Sequence, residues 1–129
     1  MSQPSPLTMF CNMLVRFFEE LKDTFPEERD IRVALETINS AKKINPRLIL
    51  DMFIEHVGTP LRDPISREDE QAIIAYARTK ISQQFNEILP ALAIFERHWA
   101  GLSDVNRTSI WKYLKVLVAL SEKARNVRV

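Results

Sequence analysis

The sequence predicts an all-α protein, a compact bundle of five or six helices with one helix kinked or broken near Pro90. Apolar residues recur at three- and four-residue spacings along most of the chain, which is the spacing of one helix face. Pro, Asn, Ser and Asp stand where these segments begin, and the two glycines stand where segments end. No segment alternates apolar and polar residues as a half-buried strand does.

Three helices are predicted in the first half of the chain. The first covers Leu7–Asp23, because its apolar residues fall at helical spacing. Pro26 suits the first position of the second helix, and the acidic residues that follow it favour a helix N-terminus. Asn45 caps the third helix and Pro46 opens it, while Gly58 closes it.

A proline loop separates these helices from a long fourth helix. Residues 59–65 are predicted as a loop, because two prolines four apart do not fit inside a helix. Ser66 then begins a near capping box, with Asp69 at the position where glutamate is preferred. The helix that follows meets Pro90, whose ring clashes with the preceding turn, so we expect a kink or break there.

The last part of the chain is predicted to hold one short and one long helix. The short helix starts at about Pro90, reaches Trp99 and stops at Gly101. Ser103 or Asp104 caps the last helix, which we expect from Asn106 to about Arg125.

The length predicts a single domain, since 129 residues is close to the common domain size. Residues 7–126 form the predicted helical domain, between a disordered tail at 1–6 and a C-terminal tail at 127–129. The longest apolar runs are a few residues, too short to span a bilayer, and the start of the chain lacks the pattern of a signal peptide. We therefore expect a soluble, unsecreted protein without a membrane partner.

Little in the sequence indicates catalysis or cofactor binding. A single cysteine excludes a disulfide framework and a thiolate-rich metal site, and two glycines leave no phosphate-binding loop. Cys11 lies in the apolar stripe of the first helix, which favours a small buried side chain over a nucleophile. His56 and His98 lie near helix ends, where a cation stabilises the helix. We expect no enzyme, no catalytic, metal-binding or cofactor-binding residue and no small-molecule substrate, although a Cys–His pair stays open.

The charge is unevenly distributed although its sum is +1. Residues 101–129 contain 6 basic and 2 acidic side chains, a net charge of +4, whereas residues 1–58 carry −2. A solvated helix face accounts for such a segment, and so does a surface that binds nucleic acid or an acidic partner. The candidate nucleic-acid contacts are Arg107, Lys112, Lys115, Lys123, Arg125 and Arg128.

The last helix is also unusually apolar. Its apolar side chains cover more than the usual third of the helix surface, so the helix is either central to the bundle or shared with a partner. Trp111 and Tyr113 lie about 200° apart on the helix and cannot face one core neighbour. We expect a homodimer through this helix, and the predicted interface residues are Trp111, Tyr113, Leu117 and Leu120.

Several short motifs occur together in a characteristic order. They are Phe17–Leu21 with Thr24–Glu27, Asn45–Arg47 with Phe53–Val57, the proline loop Pro60–Asp69, and Trp99, Leu102–Ser103 and Ile110–Leu114. This order resembles the short helical proteins of nucleocytoplasmic large DNA viruses, such as those of the Marseillevirus type. The resemblance implies a viral protein in the host cytoplasm, at the virus factory, and a candidate for packaging in the virion. It implies no activity and no catalytic residues.

The sequence thus predicts a non-enzymatic structural or protein-interaction protein of a large DNA virus. Its expected partner is a second copy of the chain or another viral protein. The alternative is a nucleic-acid-binding accessory protein that uses the basic C-terminal helix.

Overall fold

The computed structural model describes residues 5–83 and 97–126, except for the side chains of residues 80–83. This part of the chain is helical and contains no strand, which confirms the predicted all-α class. The break predicted near Pro90 lies outside the described residues. The helices are α1 (Pro6–Thr24), α2 (Arg29–Ile44), α3 (Pro46–Phe53), α4 (Arg62–Ser66), α5 (Glu70–Gln83) and α6 (Asp104–Asn126).

Two short turns complete the described elements. A π-helical turn, Ile54–Gly58, continues α3, and a 3₁₀ turn, Trp99–Gly101, precedes α6. The predicted third helix therefore leaves the α-helical form at Phe53 rather than at Gly58. No helix in the described ranges is long and apolar enough to cross a membrane.

Helices α1 and α6 form the centre of the bundle and run antiparallel. Residues later in α1 lie beside residues earlier in α6. Met13 lies at the level of Val116, and Glu20 lies at the level of Ser109. Phe17 stacks on Tyr113 at this seam, with ring centroids 5.3 Å apart. Helices α2 and α3 cover another side of α1, while α4 packs against both α5 and α6.

The core is built around aromatic side chains. Phe10, Phe18 and Phe53 are buried, and Phe10 meets Phe53 edge to face with centroids 5.0 Å apart. Burying each such side chain contributes about 1.5–3 kcal/mol to folding. The first helix thereby holds α3 on one side and α6 on the other.

The observed start of α1 follows from its cap. The Ser5 hydroxyl accepts a hydrogen bond from the Thr8 backbone N–H at 3.1 Å, and Pro6 takes the first helical position, where its missing N–H is not needed. The helix therefore starts one residue before the predicted Leu7. Asn45 acts in the same way for α3, since its Oδ1 accepts from the Leu48 N–H at 3.3 Å. The predicted cap at Asn45 and opening at Pro46 are confirmed.

The prediction that Pro26 opens the second helix is wrong. Phe25 is buried, and the Glu28 N–H donates to the Phe25 carbonyl oxygen at 3.0 Å, which closes a turn. Pro26 is the second residue of this turn, a position that its fixed φ also suits. Because Phe25 is held in the core, the chain turns first, and α2 begins at Arg29.

The predicted loop at residues 59–65 contains helix α4. Pro64 is the third residue of α4. A proline is tolerated there because the first four N–H groups of a helix have no partner within it. The rule that excludes proline from helices applies to the helix interior, which a helix of a single turn lacks.

The capping residue of α5 is Asp69, not Ser66. Ser66 ends α4, whereas Asp69 Oδ1 accepts a hydrogen bond from the Ala72 N–H at 3.2 Å. Glu68 lies between them with a positive φ of 54°. The Glu68 N–H reaches the Ile65 carbonyl at 3.1 Å and the Asp69 N–H reaches the Pro64 carbonyl at 2.8 Å. These two bonds form the Schellman ending of α4, so the two helices meet in a tight corner.

Helix α6 begins close to its predicted start. Ser103 is the cap, since its hydroxyl accepts from the Asn106 N–H at 3.2 Å, and the helix begins at Asp104. It ends at Asn126, one residue after the predicted Arg125.

Candidate functional site

The four predicted interface residues of α6 do not share one surface. Trp111 is 6% exposed and Leu117 is fully buried, so both belong to the core of a single chain. Trp111 packs edge to face on Trp99, with centroids 5.3 Å apart. Tyr113 and Leu120 are partly exposed. Tyr113 stacks on Phe17 of α1, and Leu120, two turns further along the helix, lies on the same side of α6. The helix is therefore central to the bundle, and only Tyr113 and Leu120 of the four residues are partly exposed.

The predicted basic surface is also divided. Arg107 donates to the Trp99 carbonyl at 2.8 Å and to the Ala100 carbonyl at 3.1 Å, so its guanidinium caps the 3₁₀ turn. Lys115 forms an ion pair with Glu68, with Nζ and Oε2 2.5 Å apart. Both charges are thus engaged within the chain.

The remaining basic residues of α6 point in different directions. Lys112 and Lys123 are exposed on one face and form no ion pair within the described part of the chain. A rotation of about 100° per residue places Arg107 and Arg125 on the far side of α6 from these lysines. Arg128 lies outside the described residues. The five basic residues that the structure describes therefore do not lie on one face of α6.

A groove between α1 and α6 brings together residues from both ends of the chain. We call it the α1–α6 groove; its volume is about 360 Å³. Apolar surface comes from Met13, Tyr113 and Val116, and a cation stands on each helix, Arg16 on α1 and Lys112 on α6. The groove is completed by Glu20 and Ser109.

Glu20 is held at one end of the α1–α6 groove by hydroxyl groups. The Tyr113 hydroxyl donates to Glu20 Oε1 at 2.9 Å, and the Ser109 hydroxyl lies 3.5 Å from Oε2. Burial raises the pKa of Tyr113, and the hydrogen bond to the Glu20 carboxylate raises it further. Tyr113 is therefore a neutral donor at physiological pH. The two cations have no ion-pair partner among the described residues.

Two of the residues that line this groove were identified from the sequence. Tyr113 and Lys112 on α6 were predicted contacts, whereas Met13 and Arg16 on α1 were not. The first and last helices are far apart in the sequence, so the spacing of residues within either helix does not predict that the two helices pair. The signal available in the sequence was the position of Met13 and Arg16 beside the buried face of an amphipathic helix.

Cys11, considered as a nucleophile from the sequence, does not line this groove. Cys11 is buried, and burial raises the pKa of its thiol. Its Sγ lies 3.9 Å from the Pro46 carbonyl oxygen. This agrees with the predicted role as a small core residue, since a buried thiol with a raised pKa forms little thiolate. In the described ranges, no three His, Cys, Asp or Glu residues are grouped to hold a metal ion.

His98 takes part in an ionic cluster at the start of α2. Its Nε2 lies 2.7 Å from Glu28 Oε1, and Arg97 Nη1 lies 2.8 Å from Glu28 Oε2. The imidazole also stacks on Phe25, with ring centroids 4.6 Å apart. This cluster ties the turn before α2 to the chain that leads into α6. The hydrogen bond from His98 is the main cause that holds the pKa of Glu28 below its ordinary value.

Acid should weaken the fold at this cluster. Because the folded-state pKa of Glu28 lies below the ordinary 4.5, its stabilising effect is complete above pH 4.5 and is lost as pH falls through the folded value. We expect Glu28→Gln to lower the free energy of unfolding by about 1 kcal/mol at neutral pH and to flatten its acid dependence. Urea unfolding at a series of pH values measures both effects. Glu27→Gln, at an exposed neighbour, is the control; identical curves for the two variants would contradict the assignment.

Comparison with known proteins places no relative beside this chain. No family model, no curated protein and no solved structure matches it. It is an all-α protein with a partly apolar groove between its first and last helices.

Proposed function

We propose that this chain is a non-enzymatic protein-interaction module that binds a partner polypeptide in the α1–α6 groove. The observation that supports this is the partly exposed apolar surface of Met13, Tyr113 and Val116 in a groove of about 360 Å³. Grooves of this kind between helices receive apolar side chains of a partner.

The apolar surface extends beyond the groove itself. The antiparallel register places Met9 and Leu120 one turn further along the two helices, and Met9 is 43% exposed. Together with Met13 and Val116, they give a strip of aliphatic and thioether side chains. Methionine suits a binding surface because its side chain adapts to different partner shapes.

A peptide library displayed on phage tests this function and needs no identified partner. We expect peptides selected on the whole chain to lose about tenfold in affinity for Val116→Ser, since removing an apolar contact of this size is worth about 1.4 kcal/mol. Val33→Ser, at a half-exposed valine of α2, is the matched control and should bind as wild type. Selected peptides that bind both variants equally would place binding elsewhere and overturn the proposal.

The viral setting is proposed on the sequence resemblance alone. We propose that the chain is made in infected host cytoplasm and is a candidate for packaging in the virion, where its partner is another viral protein or a second copy. Mass spectrometry of purified particles tests the packaging, and absence of the chain from the particle would contradict the proposal that it is packaged.

A further inference from the structure

The charges around the α1–α6 groove indicate which partner fits it. Arg16 and Lys112 stand on opposite helices with the apolar side chains between them, and no ion pair in the described part of the chain neutralises either one. The Glu20 carboxylate in the same groove is already engaged by the Tyr113 hydroxyl at 2.9 Å. A ligand with carboxylates on both sides of an apolar group would complement this pattern.

The cations continue along the seam. Lys123 lies on the same face of α6 as Lys112, about 16 Å further along the helix axis. It is exposed and has no ion-pair partner within the described ranges. Leu120 lies between these lysines on the side that faces α1. Apolar and positive groups therefore alternate over about three helical turns, the length of a short helical peptide.

A polypeptide fits this surface better than a nucleic acid does. Arg107 and Lys115, which could have contacted phosphates, are bound to the Trp99 carbonyl and to Glu68. The apolar side chains at the centre would have no partner on a duplex.

We propose that the occupant of the α1–α6 groove is an acidic segment of another protein, whose carboxylates bind Arg16 and Lys112 on either side of an apolar side chain that contacts Met13 and Val116. This inference rests on the proposed function and adds the chemistry of the partner. Arg16 is the specific contact, because its guanidinium binds a carboxylate through two parallel hydrogen bonds. Lys112 acts as a point charge on the opposite rim.

Binding of two matched synthetic peptides to the whole chain tests the inference. One is an amphipathic peptide with leucines on one face and glutamates on both sides of them; the other has glutamine in place of each glutamate. We expect the acidic peptide to bind at least tenfold more tightly in fluorescence anisotropy, with an advantage that shrinks as salt is raised. Arg16→Glu and Lys112→Glu should each remove most of the advantage. Lys43→Glu, at an exposed lysine of α2, should leave it unchanged.

Each other outcome has a definite meaning. If both peptides bind equally and Val116→Ser abolishes this binding, the proposal of an acidic partner is overturned and the proposed function stands. If neither peptide binds, the inference is overturned. The selection from the phage library then tests the proposed function separately. Binding of a DNA duplex that is lost in Lys112→Glu identifies a nucleic-acid ligand instead. Concentration-dependent dimerisation that is lost in Arg16→Glu identifies a second copy. Circular dichroism of each variant, with Arg16→Gln as a milder substitution, excludes loss of folding as the cause.

Discussion

Leu117→Ala should lower the free energy of unfolding by about 2–5 kcal/mol. Leu117 is fully buried in the face of α6 that packs on the bundle. Its truncation removes apolar contacts and leaves a cavity that the surrounding helices fill incompletely. Urea unfolding, followed by far-ultraviolet circular dichroism, measures the change. A loss of this size is a large part of the stability of a domain of this size.

The same substitution at Leu120 is the matched control. Leu120 is partly exposed at the seam with α1, so Leu120→Ala should cost less than half as much. The pair separates a core position from a surface position on one helix. Equal and small effects would contradict the burial of Leu117. An unfolding midpoint that rises with protein concentration, and loses this dependence in Leu117→Ala, would instead place Leu117 between subunits.

Trp99→Ala should be comparably damaging, with a loss of about 3–5 kcal/mol. Trp99 is 3% exposed and contacts two helices, α5 and α6. Its ring packs on Trp111, its indole N–H donates to the Glu70 carboxylate, and its carbonyl accepts from Arg107. Removing the ring leaves the Glu70 carboxylate without this donor and Trp111 without the ring that packs on it. Thermal and urea unfolding should both report the loss.

Trp99→Phe separates packing from hydrogen bonding. Phenylalanine keeps an aromatic ring against Trp111 but has no N–H to donate to Glu70. We expect an intermediate loss of about 1–3 kcal/mol, which an added Glu70→Gln substitution should increase little because the shared bond is already absent. Full additivity of the two substitutions would show that Glu70 and Trp99 act independently.

The all-α class and several helix starts were predictable because their causes are local. Asn45 and Pro46 begin α3 as predicted, since a cap and a proline act within one turn. Pro26 and Pro64 were misinterpreted. Burial of Phe25 turns the chain before α2 can start, and Pro64 is tolerated in the first turn of α4. In both places the residue type fits more than one local structure, and packing decides between them.

The candidate site was half predictable for the same reason. Tyr113 and Lys112 stood out on α6 from their sequence alone. Their partners Met13 and Arg16 lie on α1, and only the antiparallel register of α1 and α6 brings them into one groove. Arg107 was predicted as a contact but is bound within the chain, since it donates to the Trp99 carbonyl oxygen. The number of charges in the segment does not predict this hydrogen bond.

The pairing of α1 with α6 also has a consequence for how the chain is made. Among the described helices, α1 leaves the ribosome first, and α6, which covers the Phe17 side of it, is synthesised last. Closure of this seam is a long-range contact, of the kind that slows folding. A nascent chain released before α6 is complete would therefore present the apolar face of α1 to chaperones and proteases.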